Sequence, residues 1–193
     1  MDRIQLPLIL ASGSPRRKEL LSTMGLTYTV DVSDVDENTV GLPDEMVLEL
    51  SGRKARAVAQ RHENALVLAA DTLVFGGGKV LGKPHSSEHA VEMLSELSGQ
   101  WHEVYTGITL INTATGKCIQ KADCTRVHFV PLAHEEIVSY VATKEPLDKA
   151  GAYGIQGIAG MFIDRIEGSY SNVVGLPMAL VRSMLLEMSN MEN

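Results

Sequence analysis

The segment 65–75, ALVLAADTLVF, constrains this chain more than any other stretch. Six apolar residues run up to Asp71-Thr72, three more follow, and GGG at 76–78 makes a turn. A run of this length is too short for a membrane-spanning helix, which needs about 20 apolar residues. Bounded by a turn, it reads as a buried strand. A carboxylate that interrupts such a strand costs stability unless it is used. In open α/β sheets, sites form at the carboxyl ends of strands, which makes Asp71 a candidate functional group. Its alternative role is to cap a turn.

The rest of the chain supplies helices to cover that strand. Residues 6–11 read as a strand. Ser14 then acts as an N-cap, with Pro15 at the first helical position, where a missing N–H costs nothing. Leu20, Leu21 and Met24 recur at helical spacing and Gly25 supplies a left-handed stop. Residues 27–32 alternate as a strand, and the acidic segment SDVDEN follows as a loop. A helix is expected over 44–62. KVLGKP (79–84) makes a short return strand, and Ser86 or Ser87 caps a helix that runs to Leu97. Segments 101–112 and 117–130 form a hairpin through TATG. A helix ending near Ala142, the glycine-rich loop 144–157, a hairpin about Glu167-Gly168 and a closing helix from Pro177 complete the pattern. Interleaved helices and strands predict an α/β fold, a mixed twisted sheet with flanking helices, in one domain over 1–193.

The balance of charge narrows the partners. A net charge of −7 argues against nucleic acid or a membrane surface, both of which need a cationic face. An acidic protein can still hold an anion if a few cations converge. No run of 18 apolar residues occurs, and residues 1–7 carry one acid and one base before a short apolar run. Neither a transmembrane helix nor a signal peptide is expected. Cys118 and Cys124 fall six apart in one strand, about 20 Å at ~3.3 Å per residue, too far to pair. A reducing, cytoplasmic setting fits.

Four constellations carry chemistry. The strand–SGSPRR–helix junction offers unpaired N–H groups at a helix start, hydroxyls on Ser12 and Ser14, and guanidinium forks on Arg16 and Arg17, all suited to phosphate. The same residues equally describe a capped surface helix with solvated arginines. Asp71-Thr72 is the second. The acid pair Asp36-Glu37 is the third: oxygen ligands suit Mg²⁺, although acidic loops are commonly just solvated. The fourth is LDKAGAYGIQG, where small residues allow close backbone approach to a flat ligand and the Gln156 amide can read a base edge. Its alternative is a mobile loop.

Two strings mislead. GGKVLGKP (77–84) nearly spells a Walker A loop, but Pro84 has neither a hydroxyl for Mg²⁺ nor an N–H for phosphate. Lys83 remains a cation at a short strand end. HSSEH (85–89) matches an inverse zincin string. With Ser86 as the cap, however, His85 lies before the helix and off the face of His89. Neither cysteine sits at a helix start or among cations, so a thiol nucleophile is not expected.

As a set in this order, LILASGSPRRKELL, GRKARAVA, AADTLV, GKP, LSGQWHEVYTGI, EPLDKAGAYGIQG and GSYSNVVGLP resemble the Maf family of nucleoside triphosphate pyrophosphatases over essentially the whole chain. The resemblance implies two lobes around a cleft, similar to the inosine-triphosphate pyrophosphatase-like fold. It also implies release of pyrophosphate from a nucleoside triphosphate with a divalent cation, Mg²⁺ or Mn²⁺. Arg16 in SPRR, Thr72 after the aspartate and Gln156 in GIQG resemble the subgroup acting on dTTP and UTP. The sister subgroup acting on 7-methyl-GTP has SPWR, DQ and SEG there. Asp36 stands where the family mostly has glutamate, leaving Glu37 as the metal ligand. The resemblance assigns Asp71 as general base or metal partner, and Ser12, Ser14, Arg16, Arg17, Lys54, Thr72, Lys83 and Gln156 to substrate. It is compatible with a homodimer. Two rivals carry different expectations: a non-catalytic nucleotide-binding regulator linked to septation, which needs neither metal nor base, and a purine-selective house-cleaning pyrophosphatase.

Overall fold

The computed structural model describes residues 6–190. Seven strands form one mixed sheet in the order β2-β1-β3-β5-β6-β7, with β4 paired to β3. The strands are β1 (Leu8–Leu10), β2 (Tyr28–Val30), β3 (Leu66–Gly76), β4 (Lys79–Leu81), β5 (Trp101–Asn112), β6 (Cys118–Phe129) and β7 (Ile163–Glu167). The helices are α1 (Pro15–Thr23), α2 (Pro43–Ala59), α3 (Ser87–Leu97), α4 (His134–Ala142), α5 (Tyr170–Val174) and α6 (Met178–Asn190). The α/β class with a mixed, helix-flanked sheet is as the alternation of elements predicts. The chain divides into two compact units. Among the described residues one comprises 6–71, 106–123 and 175–190; the other comprises 72–105 and 124–174.

In the first unit β1 pairs in parallel with β2 and with β3, in the register Leu8–Leu66, Ile9–Val67, Leu10–Leu68. Side chains alternate across a strand, so Ala65, Val67 and Ala69 share one face. There they pack with Ile9, Ala11 and Ile111 against Ala55 and Val58 of α2. Asp71 continues that parity, on the α2 side. Helix α2 lies close on β5: a Cβ on Gly107 would overlap the Val47 carbonyl. Ser51 shares a hydrogen bond with Thr109 at 2.9 Å, and the Gln120 amide donates to the Leu48 carbonyl and to Thr109.

The second unit has its own core. Leu94 and Leu97 of α3, Tyr140 and Val141 of α4, and Val127 and Phe129 of β6 surround Tyr153 and Phe162. Phe129, Phe162, Tyr140 and Tyr153 meet edge to face, with centroids between 4.9 and 6.3 Å, the arrangement their ring quadrupoles favour.

Several boundaries differ from the sequence reading. β2 is shorter than 27–32, since Val30 and Val32 are exposed and nothing buries a longer strand. No hairpin forms at Glu167-Gly168. β7 pairs antiparallel with β6, but Ser169 N–H then donates to Thr125 Oγ1, and Asn172, fully buried, donates to the Val104 carbonyl and Thr125 Oγ1. These bonds turn the chain into α5 instead of back along β7. Cys118 and Cys124 form no disulfide and are exposed on the same face of β6. Among the described residues no helix is long and apolar enough to cross a membrane.

Candidate active site

In the first unit, the sequence-predicted groups lie at the carboxyl ends of β1 and of the parallel part of β3. Ser14 caps α1, its hydroxyl accepting the Arg17 N–H at 3.5 Å, with Pro15 in the first turn. Ser12, buried between strand and helix, accepts the Ser14 N–H at 3.3 Å and Arg17 Nη1 at 3.2 Å. Arg17 Nε donates to the Gly175 carbonyl at 2.8 Å. Burial pushes the Arg17 guanidinium down, the carboxylates of Asp71 and Glu37 oppose that, and Arg16 adds to it. The two arginines are therefore unlike. Arg17 is tied into the fold, whereas half-buried Arg16 makes no hydrogen bond or ion pair to a described residue.

Lys54 is the hub. Its ammonium lies 2.6 Å from Asp71 Oδ1 and 2.7 Å from Glu37 Oε1. Lys54 and Asp71 side chains are 11% and 13% exposed and Glu37 is 62% exposed, so a nearly buried pair opens to solvent through Glu37. Lys54 reaches Asp71 because it shares the stripe of α2 that carries Ser51, Ala55 and Val58 onto the sheet. The acid pair is also split. Asp36 Oδ1 accepts the N–H and the amide of Asn38, closing its own turn, while Glu37 is left to Lys54.

Sequence reading missed what holds that acidic loop. Arg53 Nη1 donates to the carbonyls of Asp36 and Asn38, its other nitrogen pairs with Glu49, and Thr39 Oγ1 donates to Glu49. The spacing of Glu49 and Arg53, four residues apart on one helix, was the available signal. At the loop's start Asp31 bonds Arg61 at 2.6 Å and His62 at 2.8 Å. The His62 hydrogen bond leads in holding the Asp31 carboxyl below its usual range.

The second unit carries Thr72, half-buried on β3, Lys83, exposed just after β4, and Gln156, exposed in the loop after α4. No helix begins directly after Lys83: buried Pro84 follows it, and α3 starts only at Ser87. The near-Walker string therefore lacks the helix that such a loop requires. His85 and His89 stand closer than the sequence suggests, with ring centroids 4.0 Å apart. The His85 N–H donates to His89 Nδ1 at 3.4 Å, occupying a lone pair a metal would take, and Ser86 caps α3.

The oxygen donors Glu37 and Asp71 suit a hard divalent cation such as Mg²⁺, which keeps waters and phosphate oxygens in its shell instead of an all-protein cage. Among the described residues no cluster of three or more His, Cys, Asp or Glu forms such a cage.

His102, a buried member of β5, is a second find. Its Nε2 shares a 2.7 Å hydrogen bond with Tyr153, and burial lowers it from its ordinary 6.5 to about 4. A histidine held neutral in the native state and protonated in the unfolded chain stabilises above its unfolded value. That stability is lost as pH falls from 6.5 toward 4. Between pH 7 and 4.5 the protein should lose about 2–3 kcal/mol through His102 alone. Thermal unfolding of wild type and His102→Gln across that range checks this. The gap between them should narrow on acidification, and a constant gap would refute the assignment.

A capped helix start with arginines and hydroxyls stands beside an ammonium bridging two carboxylates, in a protein of the α/β class. The chain belongs to the Maf-like protein family, whose model matches residues 7–188. It is 49% identical over 181 residues to a dTTP/UTP pyrophosphatase of Desulforamulus reducens, covering 93% of this chain and 95% of that one. It is 51% identical over 180 residues to a dTTP/UTP pyrophosphatase of Bacillus cytotoxicus, covering 91% and 93%. A crystal structure of a nucleoside-triphosphatase/dITP/XTP pyrophosphatase from Mycobacterium abscessus is similar with a TM-score of 0.41 at 10% identity, covering 66% of this chain and 76% of that one.

Proposed function

We propose that this protein hydrolyses dTTP and UTP to the monophosphate and pyrophosphate in the cytosol, removing surplus or modified pyrimidine triphosphates. The observation that carries the chemistry is the Lys54 ammonium held between Asp71 and Glu37. Its relatives of about 50% identity, named for dTTP and UTP, support the substrate class.

Hydrolysis at the α-phosphorus needs neutralised phosphate charge and an aligned water more than a covalent nucleophile. Arg16 and Lys83, both unengaged by carboxylates among the described residues, bind phosphate oxygens. Ser12 and Ser14 accept from protein N–H groups and keep their own O–H protons to donate. Asp71 takes the proton of the attacking water, with Lys54 orienting that carboxylate through their 2.6 Å contact. Thr72 and Gln156 address the base. Glu37 and Asp71 would hold a divalent cation. When bound, it would neutralise phosphate charge and acidify water.

A panel of nucleoside triphosphates assayed for pyrophosphate, with and without Mg²⁺ or Mn²⁺, tests the reading. Metal-dependent turnover led by dTTP and UTP is expected. Tight binding without turnover would replace it with a regulator, and a purine-led profile with a purine pyrophosphatase.

The unequal arginines give a further expectation. Arg16→Ala should lower kcat/KM roughly 10- to 100-fold, the worth of a charge-assisted hydrogen bond, with Tm unchanged. Arg17→Ala should lower Tm as well, because the bonds to Gly175 and Ser12 go with it. Equal Tm losses in both variants would contradict this.

A further inference from the structure

Gln156 stands at the tip of a turn closed by the Gly157 N–H on the Gly154 carbonyl at 3.0 Å. The turn is held from both sides. On its C-terminal side the Glu145 carboxylate accepts the Ile158 N–H at 3.2 Å and the Tyr140 hydroxyl at 3.0 Å. It sits so near Gly157 that a Cβ there would overlap it. On its N-terminal side stands Tyr153, the residue directly before the turn. Its ring is buried against Phe129, and its hydroxyl meets His102 Nε2 at 2.7 Å. His102 is 2% exposed and packs edge to face on both Phe129 and Tyr153. Its other nitrogen, Nδ1, is buried with no partner among the described residues.

A buried imidazole with one nitrogen unsatisfied is destabilising compared with an apolar side chain of the same shape. Core packing alone therefore does not account for it. The single bond it makes fixes the hydroxyl of the residue from which the Gln156 turn departs.

We propose that His102 is a positioning residue, whose hydrogen bond to Tyr153 sets the Gln156 turn and with it the preference for a pyrimidine over a purine triphosphate. This rests on the reading of Gln156 as the group that addresses the base. Glu145 closes the turn from the opposite side, so the tip is located by two anchors.

The test compares UTP and GTP hydrolysis by the full-length protein, with hydrogen exchange of the Gly157 amide measured without nucleotide. Tyr153→Phe removes one oxygen and keeps the ring in its core. It should lower the UTP-to-GTP ratio of kcat/KM about 10-fold, mostly through the KM for UTP, with Gly157 exchanging faster. His102→Leu should do the same, and His102→Gln, with an amide where Nε2 stood, should keep the ratio within about twofold of wild type. In a Gln156→Ala background Tyr153→Phe should cost no further selectivity. An unchanged ratio in folded Tyr153→Phe would overturn the proposal, as would the same loss in His102→Gln as in His102→Leu. Should the wild-type protein show no pyrimidine preference, the functional reading fails. The exchange measurement then judges the anchor by itself: unchanged Gly157 exchange refutes it, and faster exchange retains it as a determinant of turn position.

Discussion

Asp71→Asn should lower kcat for dTTP roughly 10³-fold, within the range ascribed to a positioned general base, while Tm moves by only a few degrees. Asparagine has the shape of aspartate, and its amide oxygen can still accept from Lys54, now at 2.6 Å from Asp71. Lys54 also keeps Glu37 at 2.7 Å, so the ammonium is not left buried alone. What is lost is the negative charge and the proton acceptor. Pyrophosphate release at saturating metal, with circular dichroism to confirm folding, reads the effect. Near-wild-type kcat would remove Asp71 from the reaction.

Lys54→Met should be damaging in a different way. Methionine fills much of the same volume on the inner stripe of α2, but it takes from the almost buried Asp71 the counter-charge in direct contact with it, leaving the Arg17 guanidinium to offset it and Glu37 as a like charge nearby. Breaking one side of a pair this buried should cost about 2–4 kcal/mol, which lowers Tm by roughly 5–15 °C for a chain of this size. Activity should fall roughly 100-fold or more, since one ammonium orients the base and offsets phosphate charge. Affinity for Mn²⁺ in the absence of nucleotide should hold or tighten, because a cation has been removed from between two carboxylates. A weaker Mn²⁺ site would argue that Lys54 organises the metal ligands and not the base. Titration of Mn²⁺ beside the kinetic and thermal measurements separates these outcomes.

The parts of this molecule legible in the sequence are those in which one stretch carries its own reason. Ser14 and Pro15 begin α1 as a cap and a fixed φ should. Segments 101–112 and 118–129 are neighbouring strands joined by a short turn. The pair Asp36-Glu37 could be named as acidic, yet its two members could not be told apart. One closes a local turn with Asn38, while the other reaches a lysine seventeen residues away. The hairpin expected at Glu167-Gly168 failed for a related reason: Thr125 and Val104, remote in sequence, capture Ser169 and Asn172.

By itself the sequence determined the α/β class, the strand bearing Asp71, the cationic helix start and the string of motifs that places the chain in its family. Strand periodicity, caps and turns act over a few residues, so they are written locally. Only the tertiary structure decided that Lys54 lies between Asp71 and Glu37, that Arg17 is bound into the fold while Arg16 is left open, and that His102 holds Tyr153. Those relations follow from the close seating of α2 on β5 at Gly107 and from strand register, which bring together groups separated by tens of residues. A carboxylate's use depends on which charge stands opposite it. That is settled by packing, and no stretch of the chain contains it alone.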